Sequence, residues 1–170
     1  MYKLLIVDDE EIEREGMAHF IPWEEQGIQL VGTAWNGVQG LEMMEGLRPD
    51  IVLVDVKMPV MNGLEMIRQA RQTFPDVVYV ILSGYGEYEF TSQAMEEGVR
   101  HYLLKPCDEK RIREVLDKVK AELSERQAQA SKDRDARVLL PHAREQIFCD
   151  LVLDRAQVGS TATCHFMERL

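Results

Sequence analysis

Five short apolar runs recur along the chain: "YKLLIVD" (2–8), "IQLVGTA" (28–34), "DIVLVD" (50–55), "VVYVILS" (77–83) and "HYLLK" (101–105). Between them the apolar residues change to helical spacing. Ile12, Met17 and Phe20 mark one helix face, and Val38, Leu41 and Met44 a second; Leu64, Ile67 and Arg71, then Phe90, Ala94 and Met95, mark two more. Gly46, Gly63 and Gly98 with Pro49, Pro75 and Pro106 punctuate the boundaries. Repeated strand–helix units return the chain to the same edge each time, which gives parallel strands with helices on both faces. The third and fourth runs are almost continuously apolar, as central strands covered on both sides should be. The expected fold is therefore α/β: a (βα)5 doubly wound, five-stranded parallel sheet in the order 2-1-3-4-5, followed by a C-terminal helical linker.

A fifth helix is expected after Pro106, with Asp108 as its N-cap and Ile112, Leu116, Val119 and Leu123 forming one seam. That seam serves either the sheet or a short coiled coil. Past Leu123 the pattern stops, and "SERQAQASKDRDAR" reads as a polar helical linker. The expected organisation is a first domain over 1–123, a linker over 124–137, and a partial helical segment over 138–170. The last section resembles the opening of a truncated further domain.

Charge follows the same division. Of the 20 Lys+Arg and 30 Asp+Glu, residues 1–123 hold 13 and 23, a balance of −10, while residues 124–170 hold seven of each. The acidic part would repel a nucleic-acid backbone and the remainder has no basic stripe to attract one. The three cysteines are widely spaced without a CxxC, and the four histidines share no spacing, so neither a disulfide framework nor a zinc site is expected. No membrane-length apolar run and no signal-peptide pattern is present, which points to the cytoplasm.

The third run ends in a carboxylate, Asp55, and the first ends in Asp8 and Asp9. A buried lone charge is unfavourable, so such an aspartate is paired, metal-bound or reactive. In a doubly wound sheet the carboxyl ends of all strands share one edge, and ligands bind where the strand order reverses. With the order 2-1-3-4-5, strands one and three meet at that reversal, which gathers Asp8, Asp9 and Asp55. Three carboxylates so close demand either a cation or raised pKa values, and a hard divalent ion, Mg²⁺, suits oxygen ligands. Ser83 ends the fourth run and Lys105 the fifth, over the same edge. A carboxylate nucleophile, a metal, a hydroxyl and an ammonium make a site for phosphoryl transfer to aspartate.

At these residues the chain resembles the response-regulator receiver family of two-component systems, whose CheY-like fold has this strand order. The resemblance rests on "IVDDEE" (6–11), "DIVLVDVKMPVMNG" (50–63), "ILSGYGE" (81–87) and "YLLKP" (102–106), and covers residues 2–123. It implies Asp55 as phosphoacceptor and Asp9 as a direct Mg²⁺ ligand. Asp8 would act mainly through water, and the backbone carbonyl of Lys57 would be a further ligand. Ser83 and Lys105 would contact the phosphoryl group, Tyr102 would be the switch aromatic, and Lys105-Pro106 would be cis. "GYGEYEF", "YLLKP" and "PWEEQGIQLVGTAWNG" are similar to receivers of regulators with a C-terminal AraC-type DNA-binding domain, which is expected to lie outside this chain. A sensor histidine kinase is the implied donor. A homodimer through the fourth helix, fifth strand and fifth helix is the implied active form, with Glu87, Glu89, Glu96 and Glu97 facing Lys110, Arg111, Arg113 and Lys118 of a second copy.

Each residue alone has a plainer reading: a helix cap for Asp8-Asp9, a turn hydroxyl for Ser83, a solvated strand end for Lys105, a half-buried sheet aromatic for Tyr102. Gly40 inside the second helix is out of place unless a neighbour needs the room. Lys57 and Tyr85, two residues after Asp55 and Ser83, are expected to flank the path of attacking water. An aspartyl-phosphate phosphatase of haloacid-dehalogenase type is disfavoured, since Asp55-Val56-Lys57 lacks the second acid of DxDxT. No nucleotide-binding glycine motif follows the first strand. The chain is thus expected to be a switch rather than a conventional enzyme. The alternative is a receiver-fold interaction module that works without phosphate.

Overall fold

The computed structural model describes residues 1–84 and 98–132. The expected helix over Phe90, Ala94 and Met95, the acids Glu87 to Glu97 and Tyr85 lie outside the described residues, as do residues 133–170. In chain order the elements are β1 (Tyr2–Val7), α1 (Glu11–Phe20), β2 (Ile28–Ala34), α2 (Gly37–Leu47), β3 (Ile51–Asp55), α3 (Gly63–Thr73), β4 (Val78–Ser83) and β5 (His101–Leu104). A closing helix follows, with helical backbone at residues 109–132. The chain divides into two compact units, Met1–Leu123 and Ser124–Leu170. Of the second unit, residues 124–132 are helical and exposed.

All strand pairs are parallel and the sheet order is β2-β1-β3-β4-β5, as the alternating runs imply. Successive side chains of a strand face opposite sides, and two cores form accordingly. Leu4, Ile6, Leu53, Val80 and Leu82 pack toward α1 and the closing helix. Leu5, Val7, Val52, Val54 and Ile81 pack toward α2 and α3. Every residue of β3 and of β4 is buried, which accounts for their unbroken apolar sequence. The seam Ile112, Leu116, Val119 and Leu123 joins the first core and is thereby used up by the sheet. Asp108 caps that helix, its Oδ1 accepting from Arg111 N at 2.8 Å.

Two helix faces differ from expectation. On α1, Met17 is buried, but Ile12 and Phe20 are 89% and 84% exposed. The inward positions are filled instead by Ile21 and Trp23, just past the helix, and the Trp23 indole donates to the Met17 carbonyl at 3.0 Å. On α2, Met44 is buried while Val38 is exposed; Gly37 and Gly40 take the buried positions. Gly40 is there for room: a Cβ would lie 2.8 Å from Met66 Cε and 3.3 Å from Val7 Cγ1.

Candidate functional site

The ladder hydrogen bonds carry the strand ends into the site. Asp8 N donates to Ala34 O at 3.0 Å, Val56 N to Leu82 O at 3.1 Å, and Lys105 N to Ser83 O at 2.7 Å. The carboxyl ends of β1, β3, β4 and β5 therefore present Asp8-Asp9, Asp55, Ser83 and Lys105 along one edge. Asp8 and Asp55 are buried and Asp9 is exposed, and oxygens of the three carboxylates all lie within 4.8 Å of one another. Lys105, whose peptide bond to Pro106 is cis, reaches back into this group. Its Nζ is 2.8 Å from Asp8 Oδ2 and 3.2 Å from Asp55 Oδ1. Two acids of the α1 region approach it as well, Glu13 at 2.8 Å and Glu10 at 3.7 Å.

The electrostatics follow from burial. Desolvation pushes the Asp55 carboxyl up to about 6; Lys105 opposes the rise, and Asp8 and Asp9 add to it. Asp8 is raised as well, again by burial first, against the pull of Lys105 and of the Glu10 backbone N–H. Burial acts to lower the Lys105 ammonium, but the close carboxylates of Asp8, Glu13 and Asp55 hold it above the usual lysine range. The lysine is a fixed positive charge, and the two buried aspartates are short of positive charge even with it.

A hard divalent cation fits this donor set. All the ligands are carboxylate oxygens, the Asp9 side is open to water, and Asp8 Oδ2 completes no well-directed hydrogen bond despite the nearby ammonium. A second acidic group, Asp8, Glu10 and Glu13, is similarly close-set, but Lys105 Nζ already sits among its oxygens.

The remaining expected residues are placed as follows. Ser83 is buried at the end of β4, with its hydroxyl 3.4 Å from Gly84 O. Tyr102 is 51% exposed on the edge strand β5. Lys57 is exposed and lines a hollow with Asp9, Met58, Pro59 and Asn62. Within that loop Val60 adopts φ 70°, an uncommon backbone for a β-branched residue.

One supporting residue escaped sequence reasoning. Gly63, the first residue of α3, packs against the backbone of Asp55; a Cβ there would overlap the Asp55 carbonyl oxygen and lie 3.2 Å from Val54 Cγ2. Its N–H donates to Val56 O at 3.0 Å, and a capping box between Asn62 and Glu65 fixes the helix start beside it. The signal was present as Asn62 followed three residues later by Glu65.

Comparison with known proteins agrees with this geometry. The model of the response regulator receiver domain matches residues 4–117. An uncharacterized transcriptional regulatory protein of Bacillus subtilis, YesN, is 44% identical over 144 residues, covering 85% of this chain and 39% of that protein. The transcriptional regulatory protein HptR of Staphylococcus aureus is 33% identical over 129 residues, covering 76% of this chain and 50% of its own length. The chain thus spans about half or less of these curated relatives. Among solved structures, the REC domain of AraT, a response regulator from Geobacillus stearothermophilus, is 40% identical with a TM-score of 0.70, over 74% of this chain and 98% of that one. A two component transcriptional regulator AraC from Clostridium phytofermentans is 28% identical with a TM-score of 0.66, over 76% and 99%. The sheet order, the strand-end acids and these matches agree: the chain belongs to the response regulator receiver family of two-component systems.

Proposed function

We propose that the receiver accepts a phosphoryl group on Asp55 from a sensor histidine kinase and so controls transcription. The observation that carries this reading is Asp55 itself, a buried carboxylate with Lys105 Nζ 3.2 Å away and a pKa of about 6. At neutral pH it is ionised, yet more basic and less solvated than an ordinary aspartate, which favours nucleophilic attack. An Asp55 oxygen attacks phosphorus, and the new P–O bond forms as the bond to the donor breaks; the leaving group takes the electron pair. Lys105 stabilises charge on the transferred group, and the Ser83 hydroxyl is read as a further donor to it. Asp8, Asp9, Asp55 and the Lys57 backbone carbonyl would hold Mg²⁺, which would supply further charge neutralisation. The chain is read as a switch that promotes its own modification rather than as a conventional enzyme.

Tyr102, exposed on β5, is read as the switch aromatic that turns inward when Ser83 engages the phosphoryl group. The surface of β5 and the closing helix is read as the dimer face. Its bases Lys110, Arg111, Arg113 and Lys118 are exposed, although Arg111 and Arg113 already pair with Glu114 and Glu109 of their own helix at 3.3 and 2.7 Å. The receiver is read as 1–123, the polar linker as 124–137 and 138–170 as a partial helical segment that starts a linker or output region, with an AraC-type DNA-binding domain in the longer protein. YesN and HptR are named transcriptional regulatory proteins, which supports the transcriptional role, and one solved neighbour is named a two component transcriptional regulator AraC, which supports the kind of output. The switch is read as cytoplasmic. Among the described residues no helix is long and apolar enough to cross a membrane.

The test is intact mass after incubation with acetyl phosphate, with and without Mg²⁺. A Mg²⁺-dependent gain of one phosphoryl group, lost in Asp55→Asn, is expected. Modification that persists in Asp55→Asn would place the acceptor elsewhere.

A further inference from the structure

The ammonium of Lys105 is shared between two kinds of partner. Asp8 and Asp55 belong to the strand ends, but Glu13 belongs to α1, and its Oε2 is as near to Nζ as Asp8 is, at 2.8 Å. An ammonium has three N–H donors, and the carboxylates of Asp8, Glu13 and Asp55 are the three nearest to it, as ion pairs rather than well-directed hydrogen bonds. A phosphoryl group on Asp55 needs one of those donors for its own oxygens. The three carboxylates do not release the lysine equally. The Asp8 side chain is fully buried, whereas Glu13 is 38% exposed and turns to bulk water with less rearrangement. Asp55 carries the phosphoryl group itself.

We propose that Glu13 is a positioning residue that restrains Lys105 in the resting state and must release it when Asp55 is phosphorylated. This rests on Asp55 being the acceptor and adds to it a brake supplied by helix α1. Release leaves the Glu13 carboxylate free on α1, beside a cavity of about 290 Å³ that Glu13 and Lys105 line together with Gly16, Phe20 and Cys107. The unpaired side chain therefore has room to move. The charge on one face of α1 then depends on whether Asp55 carries phosphate.

The experiment follows acetyl phosphate uptake with Mg²⁺ by time-resolved intact mass, for the wild-type chain, Glu13→Gln and Glu11→Gln. Glu11 opens α1 at an exposed position, and its substitution makes the same change in net charge. In parallel, amine acylation of Lys105 is read by peptide mass spectrometry on protein never exposed to acetyl phosphate. Glu13→Gln is expected to raise the initial uptake about two- to fivefold, the scale of one partly exposed ion pair, and to raise Lys105 labelling. Glu11→Gln is expected to change neither. Equal acceleration by Glu11→Gln would reduce the effect to repulsion of an anionic donor and overturn the proposal. So would faster uptake without faster labelling, or faster labelling without faster uptake. No uptake by the wild type would overturn the acceptor reading, while the labelling still reports whether Glu13 holds the lysine.

Discussion

The two faces of the sheet are packed by different means. Toward α2 and α3 the contacts are made by missing side chains. A Cβ on Gly37 would lie 2.8 Å from Met61 O, one on Gly40 2.8 Å from Met66 Cε, and one on Gly63 would overlap the Asp55 carbonyl. Helices sit on that face with no space for a methyl group, so the backbone that presents Asp55 has little freedom to shift. Toward α1 the packing is looser. Gly16 has open space where a Cβ would be, a cavity of about 290 Å³ lies beside it, and charged groups converge on Lys105 at its edge. The difference separates two duties. The proposed acceptor is held by a tight face, and the charged groups gathered around Lys105 lie against a face with room.

The largest expected effect comes from breaking the tight face. Gly63→Ala must push α3 off β3 or displace the Asp55 carbonyl, and overpacking of this kind typically destabilises by about 1–3 kcal/mol. The urea midpoint should fall, and phosphoryl uptake should fall further than stability alone explains, because the displaced residue is the proposed acceptor. A variant of wild-type stability and uptake would show that α3 yields as easily as α1 and end the contrast.

This part of the molecule was only half legible from the sequence. The strand ends were, because β3 and β4 are apolar throughout and a carboxylate or hydroxyl at the end of such a run marks the sheet edge. Strand order then brought Asp8, Asp9, Asp55 and Lys105 together without any knowledge of side-chain contacts. Gly63 was visible as a turn, but its function depends on how near α3 comes to β3, which no periodicity reports. Ile12 and Phe20 misled for a related reason: α1 buries only Met17, and the chain beyond its end, at Ile21 and Trp23, supplies the rest of the contact. Glu13 carried no signal at all, since its partner lies 92 positions away and the pair depends on the lateral placement of α1.

A smaller effect sharpens the electrostatic side of the contrast. The folded-state pKa of Asp55, about 6, stands above its ordinary value of 3.8. The native state therefore holds this proton more tightly than the unfolded chain. The associated stability is complete below the ordinary value and is lost as pH rises through about 6. In metal-free protein, lowering pH from 7 to 5 should raise stability by about 1 kcal/mol at Asp55, given ~1.4 kcal/mol per pKa unit. The raised carboxyl of Asp8 acts in the same direction. Urea midpoints with and without Mg²⁺ measure this, and the ion should flatten the gain because it competes with the protons. A midpoint that falls on acidification without metal would mean the cluster is already neutralised by Lys105.

The smallest effect tests the loose face directly. Gly16 lies within α1, between Glu11 and Phe20, where glycine is less favourable than alanine by about 1 kcal/mol. Nothing stands within 4 Å of the position its Cβ would take. Gly16→Ala should therefore gain most of the helical preference and lose nothing to overlap, raising stability by about 0.5–1 kcal/mol with phosphoryl uptake unchanged. The same substitution at Gly40 meets Met66 and Val7, so the helical gain there is opposed by crowding, and the two variants form a matched pair on opposite faces. If Gly16→Ala stabilises and Gly40→Ala does not, the faces differ in packing as described. If both stabilise alike, Met66 moves aside without penalty and the rigid support of Asp55 rests on Gly63 and the Asn62–Glu65 capping box alone. If Gly16→Ala slows uptake while stabilising the fold, helix α1 itself must flex for Asp55 to react, and the open space beside it is a working part of the switch.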